Sequence, residues 1–286
     1  MTPPTQLWQK IVQKLTNLLD CPDFVAAHRS RPQGFTRRRN LTFKNTVLFL
    51  LNQPRTALQT ELDPFFQALN GSDFEQRVVT AQAFSQARNK LKHSALESLN
   101  QALQQQIDQL GLRQRWQGLQ VLAIDGSSVH LPLESGMHRA FGTHCGHPVA
   151  RLSELYDVND QQSLHSLIVS PGLSERDCAH LHLDHTPADS VTLFDRGYPA
   201  QWLMALYVQQ NRQFVMRLPR DYTTEVKQFL ASGKPEETRE FAAKSSHSRL
   251  MCRGSGSDPS QHLPVRIIRI ELDSGETELL LTTLLD

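Results

Sequence analysis

Two aspartates that follow apolar runs of the sequence are the first candidates for chemistry. Asp125 comes directly after Val-Leu-Ala-Ile, and Asp195 comes directly after Val-Thr-Leu-Phe. A carboxylate at the end of a buried strand is held rigidly while its oxygens face solvent. Two such carboxylates from neighbouring strands can share Mg²⁺ or Mn²⁺, which accept oxygen ligands, and such a site supports attack on a phosphodiester. Strand-end Asp-Gly is also common turn chemistry, so this alternative stays open.

Short apolar runs in the second half of the chain would position these aspartates. Runs bounded by Gly, Pro and Asp predict strands at six places: Leu119–Ile124, Ser163–Val169, Val191–Phe194, Phe214–Leu218, Val265–Leu272 and Thr277–Leu284. Two helices are predicted between them, Glu175–His185 and Ala200–Asn211. This order predicts an α/β domain over residues 119–286, with Ser245–His262 as a polar loop.

The first 118 residues show apolar side chains at helical spacing instead. The predicted helices include Leu7–Leu18, Thr42–Leu51, Thr80–Lys92 and Ser94–Leu110. We therefore predict an all-helical region over residues 1–118, followed by the α/β domain.

The charge of the chain is divided unevenly between its two halves. Residues 1–120 carry 15 Lys and Arg against 8 Asp and Glu, whereas residues 121–286 carry 15 against 21. A basic helical region beside an acidic domain indicates a surface for a polyanion such as DNA. Uneven solvated surfaces are the alternative interpretation. The basic residues that we expect to contact phosphates are Arg37, Arg38, Arg39, Lys44 and Arg88.

The motifs around the two aspartates resemble those of the DDE transposases of bacterial insertion-sequence family four, named for two aspartates and one glutamate. Ile124-Asp125-Gly126-Ser127 resembles the first motif of that family, and Asp195-Arg196-Gly197-Tyr198 matches the second. Ala83–Leu91 is similar to the helix before the catalytic domain, and Glu278–Asp286 is similar to the strand before the glutamate helix.

This resemblance implies an RNase H-like mixed sheet with flanking helices and a β-rich insertion at about residues 214–262. It implies that Asp125 and Asp195 are catalytic ligands of Mg²⁺ (or Mn²⁺), and that the substrate is double-stranded DNA rather than a small molecule. The reaction would be hydrolysis and strand transfer at the terminal inverted repeats of a mobile element, carried out by a homodimer on DNA. Arg196 would pair with a phosphate, and Tyr198 would either stack against the DNA or pack internally.

The chain departs from the family pattern in its third carboxylate. The family places a glutamate in Tyr-x₂-Arg-x₃-Glu, and these 286 residues contain no such signature. We therefore expect a C-terminally truncated product with little strand transfer by itself. One alternative is a catalytically inactive DNA-binding or dimerising inhibitor of transposition. A weaker alternative is a metal-dependent nuclease that uses Glu154 or Asp157 as the third carboxylate.

Sequence features also limit where the chain works. The apolar runs of the sequence, such as Val47–Leu51, are far too short to span a bilayer, and the first residues lack the apolar stretch of a signal peptide. We expect a cytoplasmic, nucleoid-associated protein without a membrane partner. The histidine-rich segment His180–His185 is interpreted as a solvated helix face rather than a metal site.

Overall fold

The chain is divided into two compact units, residues 1–112 and 113–286. A computed structural model describes residues 4–37, 39–74, 76–144, 146–243, 246–254 and 256–285. The division falls before the predicted boundary at residue 118. Arg113 joins the second unit because its guanidinium lies 3.1 Å from the carboxylate of Asp157, and Trp116 forms a β-bridge with Leu119.

The described part of the first unit is helical, as predicted. Its helices are α1 (Pro4–Asp20), α2 (Pro22–His28), α3 (Phe43–Leu51), α4 (Leu58–Asn70), α5 (Ala81–Arg88) and α6 (Ser94–Gln109). Threonines cap two of these helices, because the Thr42 hydroxyl accepts a hydrogen bond from the Asn45 amide and the Thr80 hydroxyl accepts one from the Ala83 amide.

Helix α3 lies between two apolar clusters of the first unit. Val47 of α3 packs with residues of α1, α2 and α6, including Leu19, Phe24 and Leu99. Phe49 of the same helix packs with residues of α4 and α5, including Phe66. The two clusters therefore hold α3 against α1, α2 and α6 on one side and against α4 and α5 on the other.

The second unit is built on a mixed sheet. Its strands are β1 (Gln120–His130), β2 (Thr143–His144), β3 (His147–Asp157), β4 (Gln162–Val169), β5 (Ser190–Phe194), β6 (Gln213–Arg217), β7 (Glu236–Phe241), β8 (Leu263–Glu271) and β9 (Thr277–Thr282). The main order across the sheet is β4-β3-β1-β5-β6-β9-β8-β7, and β2 pairs with the start of β3. Strand β3 was not predicted.

The direction of the strands changes across this sheet. The β1–β3 and β3–β4 pairs are antiparallel, the β1–β5 and β5–β6 pairs are parallel, and β6, β9, β8 and β7 are again antiparallel neighbours. The mixed RNase H-like sheet with flanking helices is therefore confirmed. Because β1, β5 and β6 run in the same direction, their carboxyl ends meet at one edge of the sheet.

Helices cover the sheet of the second unit. They are α7 (Ser135–Phe141), α8 (Glu175–His182), α9 (Gln201–Gln209), α10 (Thr224–Ser232) and α11 (Ser246–Gly254), with a 3₁₀ turn at Leu183–His185. Helix α9 is the central one, since all of residues 202–207 are buried. The predicted insertion, about residues 214–262, contributes β6 and β7 to the sheet and α10 and α11 to its surface.

Helix α11 corrects the prediction of a polar loop over Ser245–His262. Its composition of Ser, Arg and Gly gives a weak helical pattern, but Cys252 is buried and Met251 packs against the core of the second unit. Contact with α9 stabilises this helix, so tertiary packing outweighs local propensity here. No helix within the described residues is both long and apolar enough to cross a membrane.

Candidate active site

Asp125 lies within β1 rather than after it. The strand was predicted to end at Ile124, but it continues to His130 because β3 pairs with it along that length, with Asp125 opposite Glu154. Ile124 is buried, whereas Asp125 is exposed and its Oδ1 accepts a 2.8 Å hydrogen bond from the Gly126 amide. The buried strand therefore fixes the backbone and leaves the carboxylate accessible.

Asp195 directly follows β5, as predicted. Phe194 is buried at the end of that strand, and the Asp195 side chain is 62% exposed. The Tyr198 amide donates a 3.1 Å hydrogen bond to the Asp195 carbonyl, which closes the Asp-Arg-Gly-Tyr segment into a turn. This turn holds the second carboxylate at the sheet edge.

The register of β1 and β5 brings the two aspartates to neighbouring positions. The strands are parallel, with Leu122 opposite Thr192 and Ala123 opposite Leu193. Asp125 and Asp195 each follow the last paired residues of these strands, Ala123 and Leu193, by two positions. Two exposed carboxylates thus follow the paired part of adjacent strands at the same edge.

Arg217, at the end of β6, links Asp195 to a buried carboxylate. Its Nη1 donates a 2.9 Å hydrogen bond to Asp195, while its Nε and Nη2 donate to Glu278 at 2.9 and 2.8 Å. Arg196 also donates to Glu278. The Arg217 hydrogen bonds, followed by those of Arg196, lower the pKa of Glu278 to about 2. Glu278 therefore holds the guanidinium groups of Arg196 and Arg217 beside Asp195.

The sequence analysis did not identify Arg217 as a site residue. A signal was present, because a basic residue at the end of the third parallel strand must lie near the end of the second. Arg196 was expected to pair with a phosphate, but in this structure it pairs with Glu278.

Glu175, in the first turn of α8, is a third carboxylate near the two aspartate motifs. A Cβ added at Gly126 would lie 3.4 Å from its Cγ, and a Cβ added at Gly197 would lie 3.5 Å from its Oε2. Its Oε1 accepts a 2.9 Å hydrogen bond from Arg151. The glycines after both catalytic candidates therefore face the same side chain, which sequence spacing alone could not reveal.

Tyr198 is buried instead of facing a ligand. It is 1% exposed and its ring lies 5.3 Å from that of Phe194. Among the described residues its phenol oxygen has no hydrogen-bond partner. Burial, followed by the charges of Glu175 and Asp125, raises the pKa of Tyr198. Of the two expected roles, stacking or packing, this structure supports packing, and we exclude Tyr198 from the DNA-contacting set.

Only some of the basic residues predicted to contact DNA line a common cavity of the first unit. Arg37 and Arg39 line a cavity of about 860 Å³ together with Lys90, Gln33 and Gln86. Arg88 is exposed but does not line this cavity. Lys44 does not line it either and pairs with Asp20 at 2.7 Å. Arg38 lies outside the described residues.

Glu154 and Asp157, the carboxylates of the alternative nuclease interpretation, differ in burial and in their partners. Asp157 is fully buried, with its Oδ2 bonded to Arg113 at 3.1 Å and to Gln120 at 2.6 Å, which makes it a structural ion pair. Glu154 is half-buried and lies opposite Asp125 in the β1–β3 register.

The histidine-rich segment is not a solvated face, because His182 is fully buried. Its Nε2 lies 3.0 Å from the Ser153 hydroxyl, and its Nδ1 lies 2.9 Å from Nδ1 of His165. Desolvation, followed by the nearby charges of His165 and His185, lowers the pKa of His182 to about 4. This imidazole is therefore neutral at neutral pH.

The oxygen ligands of Asp125 and Asp195 suit Mg²⁺ in kind. The described residues contain no group of three or more His, Cys, Asp or Glu side chains arranged to hold an ion. The guanidinium of Arg217 instead supplies positive charge to Asp195. The donor chemistry fits a divalent cation, and the arrangement requires a change in side-chain partners to receive one.

Comparison with known proteins relates the chain to a transposase. No protein-family model matches it. "Putative transposase InsZ" of Escherichia coli (strain K12) is 25% identical over 201 residues, which are 66% of this chain and 66% of that protein. The chain thus spans about two thirds of that relative. The cryo-EM structure of the piggyBac transposase synaptic complex with hairpin DNA aligns with 96% of this chain and 61% of that chain, at 9% identity and a TM-score of 0.46.

Proposed function

We propose that this chain is a DNA transposase of the DDE kind, in which Asp125 and Asp195 form the acidic site. The observation that supports this proposal is the parallel register of β1 and β5, whose last paired residues, Ala123 and Leu193, each stand two positions before an aspartate. The similarity in sequence to a transposase supports the choice of reaction class.

The residues around the acidic site have separate tasks in this proposal. Asp125 and Asp195 hold a divalent cation, Mg²⁺ or Mn²⁺, through their exposed carboxylates. When bound, that cation would activate a water or hydroxyl and stabilise the leaving oxygen of the phosphodiester. Arg217 holds the Asp195 side chain at the sheet edge and limits the negative charge there until the cation binds.

The cavity of the first unit provides the proposed DNA surface. Arg37, Arg39 and Lys90 line it and would contact phosphates, while the amides of Gln33 and Gln86 are groups that bond to backbone or base edges. The proposed substrate is double-stranded DNA at the terminal inverted repeats of a mobile element. A homodimer is proposed because two element ends must be brought together.

Cation binding by the full chain tests this function. Mg²⁺ and Mn²⁺ are titrated by calorimetry into the parent, Asp125→Asn, Asp195→Asn and a control, Asp184→Asn, because Asp184 is exposed in the 3₁₀ turn after α8. We expect binding in the parent and the control, and loss in the two site variants. Parent binding that both site variants retain would refute the assignment of the site.

An alternative function is a catalytically inactive DNA-binding or dimerising inhibitor of transposition. The pairing of Asp195 with Arg217 favours it, because a guanidinium already compensates that carboxylate. The two functions differ in one measurement: an inhibitor of this kind binds element-end DNA while the parent chain takes up neither Mg²⁺ nor Mn²⁺.

A further inference from the structure

The cavity that Arg37 and Arg39 line in the first unit has a second cavity beside it. The second cavity has a volume of about 450 Å³, and Arg31 lies on its lining. Three residues line both cavities: Gln33, Gln86 and Lys90. These shared side chains form a wall between the two cavities, and each cavity has at least one arginine on its far side from that wall.

Backbone contacts hold the two sides of this wall together. The Ser30 amide donates a 2.7 Å hydrogen bond to the Lys90 carbonyl, and the Lys92 amide donates a 2.8 Å hydrogen bond to the His28 carbonyl. A Cβ added at Gly34 would lie 3.6 Å from the Cβ of Lys90, so the loop passes close to the residues that follow α5. The wall is therefore formed before a ligand arrives, which lowers the entropic cost of binding.

The arginines of the two cavities are available to an anionic ligand. Arg31, Arg37 and Arg39 are exposed, and within the described part of the chain none of them has a carboxylate partner. Lys44 differs, because it already pairs with Asp20 at 2.7 Å. The charges of the two cavities thus fit a ligand that carries negative groups on both sides of the wall.

Duplex DNA is a ligand of this shape. Its major groove, about 12 Å wide, lies between two phosphate backbones, and the base edges form its floor. A wall that enters this groove would place one backbone in each cavity, where arginines contact phosphates. A single-stranded nucleic acid or an acidic peptide has no second backbone for the other cavity. The amides on the wall would then face base edges.

We propose that the wall enters the major groove of duplex DNA and that Gln86 selects an A·T base pair there. This inference rests on the proposed function and adds sequence recognition to the proposed DNA surface. A glutamine amide can donate to N7 of adenine and accept from its N6 amino group. Gln86 is placed by a helix, α5, whereas Gln33 lies in a loop. Ala83 of the same helix lines the first cavity, and its methyl group can contact the methyl group of thymine.

Selection from a pool of duplexes with a random central segment tests this assignment. The full chain retains its tightest binders for sequencing, and fluorescence anisotropy then compares the selected duplex with single base-pair changes. The variants are Gln86→Ala, Arg31→Ala and a control, Gln82→Ala, because Gln82 is exposed on α5 and lines neither cavity. Each variant is checked for an unchanged melting curve.

The parent should prefer A·T over G·C about tenfold at one position of the selected duplex. Gln86→Ala should reduce this preference to within about twofold, and Gln82→Ala should keep it. Arg31→Ala should weaken binding to all duplexes alike and reduce the slope of log affinity against log salt by about 0.9.

Other outcomes separate this inference from the proposed function. If Gln86→Ala keeps the preference of the parent, if Gln82→Ala also loses it, or if the parent enriches no sequence, the inference fails while the proposed DNA surface stands. A salt slope that Arg31→Ala leaves unchanged would mean that the second cavity holds no phosphate, which also overturns the inference. If the parent binds no duplex, the inference and the proposed DNA surface fail together, and cation binding still tests Asp125 and Asp195 separately.

Discussion

Glu278 makes the second unit sensitive to acid, and replacing it with Gln should remove that sensitivity. Its side chain is 8% exposed and accepts hydrogen bonds from Arg196 and Arg217. These bonds lower its pKa from the ordinary 4.5 to about 2. A carboxyl group with a lowered folded-state pKa stabilises the fold above its unfolded pKa, and this stabilisation is lost as the pH falls through the folded value.

The size of the effect follows from the two pKa values. At roughly 1.4 kcal/mol for each pH unit, a fall from 4.5 to about 2 corresponds to roughly 3 kcal/mol of unfolding free energy. The parent should lose that amount between about pH 5 and about pH 2, beyond the loss from its other carboxyl groups. Glu278→Gln should lack this part of the decline and be less stable than the parent near neutral pH.

Urea unfolding followed by tryptophan fluorescence measures this difference. Trp202 is buried in the second unit, whereas Trp8 and Trp116 are about half exposed, so the signal reports mainly on the second unit. Glu276→Gln is the matched control, because Glu276 is exposed in the hairpin two residues from Glu278. If Glu278→Gln declines with pH in parallel with the parent and the control, the ion pairs do not stabilise the fold as argued.

Three further predictions concern other parts of the chain. Ser174→Ala removes the capping box of α8 and should lower the unfolding free energy by about 1 kcal/mol in urea, with Ser170→Ala as a control. His182 has a lowered pKa of about 4, so stability should fall as the pH drops from about 6.5 to about 4; His182→Asn should flatten that part of the curve, and an unchanged curve would contradict the argument. Arg37→Ala or Arg39→Ala should reduce the slope of log affinity for duplex DNA against log salt by about 0.9 each, measured by fluorescence anisotropy. Lys44→Ala should change the slope less, because Lys44 already pairs with Asp20.

The sequence was informative wherever a local pattern decides structure. The helical region, the strands around both aspartates and the two helices between them follow from periodicity and from Gly, Pro and Asp boundaries. Asp195 lies after its strand because Phe194 is buried and the next four residues form a turn. These features depend on neighbours in the chain, so a single sequence can reveal them.

The features that sequence reasoning missed depend on partners distant in the chain. Strand β3 begins with a His-Pro pair and mixes polar with apolar residues, and its pairing with β1 extends that strand past Asp125 to His130. Helix α11 exists through its contact with α9. Tyr198 stands beside an exposed aspartate in sequence, yet the turn directs it into the core, where it is 1% exposed.

The same distinction between local and distant partners applies to the charged groups of the candidate active site. The two aspartates are visible from sequence because each follows an apolar run, but the arginine that pairs with Asp195 is 22 residues away. Arg217 reaches Asp195 because β6 is the parallel neighbour of β5, and Arg151 reaches Glu175 because β3 passes below the start of α8. In each pair, the strand order determines which carboxylate receives a counter-ion. If Asp195 binds a divalent cation as we propose, it must exchange its partner Arg217, so substitution of Arg217 should change the cation affinity as well.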